Sequence, residues 1–298
     1  MTTPQPRKRA APSRTTTARK APAPKKPPAR EPAAAGRKPP ARRTRTPAAR
    51  RTTEPAGETR TLRLGHLYPL QMNIYGDRGN ILCLQRRCRL RGIDLKVTPL
   101  DTGDVLKPDD FDILFMGGAQ DREQRQVADD LAATKGALRE AVEDGVVFLG
   151  VCGGYQLSGR FYRGGDGEEL RGAGVLDLYT LHPGAGAKRL IGNLAAEWEG
   201  GSLAGFENHG GRTYLGSGVE PLAKVVRGFG NDGASGYEGA RYKNAFGSYL
   251  HGPLLPKNPA FADRLISLAL ERRYGEGTLA PLEDSLEQMA HAAALRAR

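Results

Sequence analysis

Two rhythms of apolar and polar positions alternate along residues 61–151. Short strand-forming runs occur at Leu62–Tyr68, Leu95–Leu100, Asp112–Met116 and Gly145–Val151. The last two are apolar almost throughout, as expected of strands covered on both faces. Between them, apolar residues at helical spacing predict a helix over Ile81–Arg91, stopped by Gly92 as a C-cap. A longer, more polar helix is expected from about Glu123 to Glu143. Strand–helix–strand alternation at this spacing predicts an α/β fold, with a parallel sheet and helices on both faces. Beyond residue 160 the pattern shortens. VLDLYTL, KRLIGNL, GFENHGGRTYL, AKVVRG and ARYKNAFGSYL are separated by glycine-rich turns and read as antiparallel ribbons attached to the parallel core. A last amphipathic helix is expected over Ala260–Tyr274, and residues 279–298 read as a peripheral C-terminal segment.

None of these patterns extends into residues 1–60. That segment holds 17 Lys and Arg against three acids, together with 12 of the 21 prolines. It has no Ile, Leu, Val or aromatic residue. With nothing to bury it cannot offset the entropy of ordering, so a disordered basic arm is expected there, followed by one domain over 61–278. The arm carries a net charge of +14, whereas the other 238 residues carry 28 basic and 30 acidic side chains. The high pI is therefore a property of the arm. Charge alone lets such an arm contact anionic surfaces, and the nearly neutral domain gives no ground for specific nucleic-acid binding. No apolar h-region follows the basic start, and no apolar run is long enough to cross a bilayer, so a soluble cytoplasmic protein is expected. Three cysteines do not make a disulfide framework.

One of those cysteines changes the picture. In GVVFLGVCGGYQLSG, residues 145–159, a buried strand ends at Val151, Cys152 follows, and two glycines lead into a helix. This G-x-C-x-G arrangement is a nucleophile elbow, a sharp turn where bulky neighbours would clash. It aims the thiol at the first free N–H groups of the helix, whose partial positive charge favours the thiolate. A free cysteine is more commonly a small packing residue, and Cys83 and Cys88, inside the predicted first helix, fit that description. At Cys152 strand, glycines and helix coincide, which favours a catalytic role.

A thiolate attacking a carbonyl needs donors for the resulting oxyanion. The N–H of Gly153 is one candidate, and Gly118, in the Gly117-Gly118 pair ending the preceding strand, is the other. Among the five histidines, His251 follows the strand AFGSYL and should project at the same sheet edge, which makes it the preferred base. His209, among turn residues in GFENHGGRT, competes for that role.

GVCGGYQ with a downstream SYLHGP resembles the class I, triad-type glutamine amidotransferases, in the branch shared with cobyric acid synthases. NIYGDRGN, GGAQDREQ, KRLIGN, GFENHGGRT and SYLHGPLLPKNP narrow the resemblance to the glutaminase subunits that serve lipid II amidation. The motifs span about residues 62–270. The resemblance implies a flavodoxin-like, mostly parallel sheet with antiparallel additions in the second half. It implies that Cys152 is the nucleophile and His251 the base, and that Arg189 of KRLIGN holds the glutamine. A guanidinium suits a carboxylate bidentately. Gln156, closing GVCGGYQ, is expected beside it at the substrate. The expected chemistry is hydrolysis of L-glutamine to L-glutamate and ammonia, with no metal and no cofactor in this chain. ATP and Mg would serve a Mur-ligase-like synthetase partner of the MurT type, forming a heterodimer that amidates the D-glutamate of lipid II. That partner and lipid II could bring the protein to the inner membrane face.

Two positions depart from the family pattern. Ala119 stands where a third glycine is common, and Pro253 stands where members carry a carboxylate two residues after the histidine. The resemblance implies that the partner donates an aspartate instead; within this chain, Glu207 is the first acid to consider. Two other functions compete. One is an amidotransferase component of a cobyrinate-type synthase, although those chains usually carry a synthetase domain where this one has a basic arm. The other is a non-catalytic glutamine-sensing or scaffold protein, against which an intact Cys152 and His251 argue.

Overall fold

Parallel pairing of the buried runs gathers their carboxyl ends at one edge, and that edge positions everything discussed below. The structure is a computed structural model that describes residues 59–297. The predicted alternation appears as β1 (Thr61–Leu67), α1 (Arg78–Arg89), β2 (Asp94–Leu100), β3 (Ile113–Met116), α2 (Asp121–Glu143), β4 (Val147–Val151) and α3 (Gly153–Ser158). The basic arm, apart from its last two residues, lies outside the described residues.

The register of the central sheet follows from its apolar runs. β1 pairs in parallel with β2 and β3, β3 pairs with β4, and Leu67, Met116 and Gly150 fall in register along the edge. Every residue of β3 and β4 is buried, so these two central strands can have no polar face. Phe115 and Phe148, fully buried there, each contribute on the order of 1.5–3 kcal/mol through burial.

The second half differs from expectation in one respect that matters. β5 (Phe161–Arg163), β6 (Glu169–Arg171), β7 (Leu178–Leu181) and β10 (Arg212–Leu215) form a small sheet. A second is built from β8 (Leu190–Trp198), β9 (Gly201–His209), β11 (Ala223–Arg227) and β12 (Tyr237–Glu238). The segment ARYKNAFGSYL, however, is not a detached ribbon. Its β13 (Ala240–Tyr242) and β14 (Ala245–Ser248) join the central sheet, and β14 lies parallel to β4 with Ser248 opposite Val151. The sheet order is therefore β13-β14-β4-β3-β1-β2, a doubly wound arrangement with β13 as its antiparallel edge. The pairing direction of a strand is set by its connection, which the local pattern does not encode.

After β14 come α4 (Leu254–Lys257), α5 (Pro259–Tyr274) and α6 (Ser285–Arg296). α5 buries Phe261, Leu265, Ile266 and Leu270 and ends at Gly275 in the left-handed conformation. α6 has no buried residue and is held by polar contacts. His291 bonds Ser202 and the Lys257 carbonyl, and Asp284, just before the helix, pairs with Arg87 of α1. Among the described residues, no helix is long and apolar enough to cross a membrane.

Candidate active site

Cys152 is the first residue past β4, and its backbone carries the strain expected of an elbow. Its φ is 50° and ψ −103°, a conformation that non-glycine residues rarely adopt. Backbone bonds hold it there. Its N–H donates to the Ser248 carbonyl at 2.8 Å, and its own carbonyl accepts the Gln156 N–H at 2.9 Å. The turn can close only because position 154 has no side chain. A Cβ on Gly154 would lie 2.3 Å from the Met116 carbonyl oxygen, so the helix start packs directly on the end of β3.

His251 follows β14 and is fully buried. Its main chain is fixed by β9, through an antiparallel bridge in which His251 and Phe206 exchange backbone hydrogen bonds of 2.7 and 3.3 Å. Tyr75 meets the imidazole edge-on at 5.1 Å between centroids. Burial works against the imidazolium, yet the Cys152 thiolate and the Asp77 carboxylate together outweigh it and raise the pKa from 6.5 to about 10. A negative charge on the Cys152 sulfur therefore favours the protonated form of the imidazole.

His209 is differently engaged. It stacks on Tyr249 at 3.5 Å with the rings 6° from parallel, and its Nδ1 pairs with the Gly211 carbonyl at 2.8 Å. Burial lowers its pKa. Glu207, the acid first considered within this chain, serves another purpose. It accepts the N–H groups of Phe229 and Gly230 and lies 3.6 Å from His209, not beside His251. The carboxylate facing His251 is Asp77, with Oδ1 3.5 Å from Nδ1. Sequence reading missed it. Its only signal is its place in NIYGDRGN, one of the motifs that carry the family resemblance.

In front of the thiol is a cavity of about 550 Å³, lined by Cys152, Gln156, Arg189, Tyr75, Asp121 and His209 among others. Arg189, just before β8, donates from Nε to Asn208 Oδ1 at 2.8 Å and from Nη2 to the Asn208 carbonyl at 2.9 Å. Asn208 in turn donates to the Tyr75 hydroxyl at 2.6 Å. The guanidinium is thus presented at the cavity by a braced arm. Gln156 is brought to the same cavity, but its amide is used inside the protein. It donates to the Tyr249 hydroxyl at 3.2 Å and accepts from Gln124 at 3.0 Å, which makes it part of the cavity wall's frame.

The expected oxyanion donors need one correction. Gly153 N–H, at the start of α3, has no preceding turn to supply an acceptor. Gly118 N–H, by contrast, is engaged, because it donates to Asp77 Oδ2 at 2.6 Å. The neighbouring Ala119 N–H has no acceptor among the described residues, and a Cβ on Gly153 would lie 2.8 Å from that nitrogen. Ala119 rather than Gly118 is therefore the second donor available beside the elbow. A side chain at that position does not alter the backbone N–H, so no residue pattern signals it.

A thiol on a strained elbow, a coupled imidazole behind it and a polar cavity in front can open an amide through a thioester. The class is that of the amidotransferases. The chain belongs to the CobB/CobQ-like glutamine amidotransferase domain family, whose model matches residues 63–259. It is 42% identical over 213 residues to the subunit GatD of lipid II isoglutaminyl synthase (glutamine-hydrolyzing) from Staphylococcus aureus (strain N315), covering 71% of this chain and 86% of that subunit. With GatD of Streptococcus pneumoniae (strain ATCC BAA-255 / R6) it shares 41% identity over 230 residues, 76% of this chain and 88% of the other. A crystal structure of a glutamine amidotransferase aligns with a TM-score of 0.48 at 20% identity, covering 69% of this chain and 98% of that one.

Proposed function

We propose that this chain is the glutaminase subunit of a lipid II isoglutaminyl synthase. Arg189 takes the α-carboxylate of L-glutamine and sets the side-chain amide before Cys152. His251 accepts the thiol proton, and the thiolate attacks the amide carbon. Gly153 and Ala119 N–H groups stabilise the oxyanion. Collapse of the tetrahedral adduct breaks the C–N bond, and His251 returns its proton to the departing ammonia. A water then attacks the thioester, His251 takes its proton, and L-glutamate leaves as Cys152 regains its thiol. The ammonia passes to a Mur-ligase-like, ATP- and Mg-dependent partner that amidates the D-glutamate of lipid II. This chain uses no cofactor of its own, and the pair works in the cytoplasm at the inner membrane face.

The observation that carries this reading is the strained Cys152 coupled to His251 at the mouth of the Arg189 cavity. Identity of 41–42% along 86–88% of the GatD subunits supports lipid II as the acceptor over a cobyrinate-type substrate. To test it, the chain is purified with the synthetase partner and glutamate release is measured for the unaltered complex and for Cys152→Ser. Serine keeps the shape but lacks an accessible thiolate, so hydrolysis should vanish while folding and partner binding persist. Near-normal turnover in the serine variant would refute the assignment.

A further inference from the structure

Tyr75 stands where a glycine would be at ease. It lies in the loop between β1 and α1 with φ 55° and ψ 24°, the left-handed region that bulky side chains seldom enter. Holding a tyrosine there works against stability, so its side chain has to bring something that offsets the strain. We propose that Tyr75 is a positioning residue that ties the carboxylate clamp to the base. Its hydroxyl sets Asn208, and through it Arg189, while its ring sets the imidazole of His251. The proposal rests on the glutaminase reading above.

Both groups are reached from one side chain. β9 alternates its faces, so Glu207 and His209 are buried while Phe206 and Asn208 share the half-exposed face and both meet Tyr75. Asn208 Nδ2 donates to the Tyr75 hydroxyl at 2.6 Å. The amide cannot be turned round, because Nε of Arg189 only donates and needs the amide oxygen, which it meets at 2.8 Å. Arg189 Nη2 also donates to the Asn208 carbonyl, at 2.9 Å. The guanidinium is therefore aimed by Asn208, and Asn208 is fixed by Tyr75. The same tyrosine ring meets His251 edge-on at 5.1 Å and Phe206 edge-on at 6.5 Å. Neither ring nitrogen of His251 has a hydrogen-bond partner among the described residues, so packing against its faces and edges carries much of its orientation.

The loop is pinned beside the elbow. Ile74 N–H donates to the Gly118 carbonyl at 3.0 Å, Asp77 N–H to the Ile74 carbonyl at 3.2 Å, and Arg78 N–H to Asn73 Oδ1 at 2.8 Å. These bonds bracket residue 75 and keep its backbone in the left-handed turn, which Gly76 continues at φ 76°. Tyr75 is half-exposed and lines the cavity in front of the thiol. A rigid side chain with two torsions thus sets the spacing between the group that takes the carboxylate and the group that takes the proton.

Two substitutions in the full chain, purified with its partner, separate the two roles. Tyr75→Phe removes the hydroxyl and keeps the ring. KM for L-glutamine should rise about 2- to 10-fold, as for one lost hydrogen bond, with kcat unchanged. Tyr75→Asn removes the ring but suits the left-handed backbone. Its kcat should fall about 10- to 100-fold while the melting temperature holds, because strain is relieved as packing is lost. An unchanged KM in the first variant, or an unchanged kcat in the second, overturns the proposal. So does a melting temperature of Tyr75→Asn well below that of the unaltered chain, which makes the residue a structural one. Alkylation of Cys152 by iodoacetamide, followed on the peptide that carries it, needs no glutamine. The midpoint of its pH–rate profile should move up in Tyr75→Asn, where His251 is less well set against the sulfur, and stay in place in Tyr75→Phe. If the unaltered complex releases no glutamate, the glutaminase reading fails and the alkylation profiles still decide Tyr75. Equal profiles in all three proteins overturn its role.

Discussion

At Cys152 the backbone holds a conformation that costs on the order of 1–3 kcal/mol, sustained by β14 on one side and α3 on the other. Against the effect of burial, the same residue and Asp77 raise the pKa of His251, and the two histidines near the cavity are separable by experiment. His251→Ala should lower glutamine hydrolysis at least about a hundredfold, the usual cost of losing a general acid–base. His209→Ala removes a ring stacked on Tyr249 and should act mainly on thermal stability. Steady-state kinetics and thermal melts on both variants check this, and a reversed order disqualifies His251. The raised pKa of His251 also has a consequence for pH. A histidine whose folded pKa lies above its unfolded value stabilises the fold below the unfolded value and loses that contribution as pH rises through the folded one. With 6.5 raised to about 10, the melting temperature should fall more steeply between those pH values in the unaltered chain than in His251→Gln. Arg189→Ala should raise KM for glutamine without unfolding the chain. Arg189→Lys should recover only part of it, because a point charge does not reproduce the planar fork braced by Asn208. Unchanged glutamine kinetics would remove Arg189 from the site.

Among the elements, α1 has two jobs on two faces. Its start seats Asp77 and Asn80 against residues 251–255, while farther along, Arg87 ties it to the C-terminal helices. The Arg87 guanidinium, nearly fully buried, donates to Asp263 at 2.6 and 2.7 Å and to Asp284 at 2.8 and 2.7 Å. Removing one partner of such a cluster leaves carboxylates short of donors. Because Arg91 still pairs with Asp263 and the acids are partly exposed, Arg87→Ala should cost about 2–3 kcal/mol, less than a fully buried pair. Denaturant unfolding measures that loss. Glutamine kinetics at saturating substrate should stay as they were, since Arg87 lies away from the thiol cavity.

For the molecule as a whole, charge and fold are divided between segments. Residues 1–60 hold the net positive charge and none of the branched aliphatic or aromatic residues that make a core. Deleting them should leave the melting temperature and glutamine hydrolysis of the complex unchanged, while any adhesion to anionic vesicles disappears with the deletion and weakens with salt. A truncated chain that is insoluble or inactive would show that the arm belongs to the domain.

The sequence by itself determined the alternation of β1 to α3, the elbow at Cys152 and the preference for His251, because each is written in a short contiguous stretch. A buried strand, two glycines and a helix start constrain one another within a few residues. Pairings between distant stretches were decided only by the tertiary structure. Whether AFGS lies parallel to β4 depends on the connection that delivers it, and that pairing puts His251 at the elbow's edge. The acid facing His251 could not be read from the residues after it, where Pro253 stands. It comes from the start of α1, which reaches the site through the sheet order and the bare surface of Gly79. In the same way, Gly118 lost its free N–H to Asp77 and Ala119 kept one, although both belong to one loop. Which backbone donor remains free depends on the neighbour that folding brings up, and no local pattern carries that information.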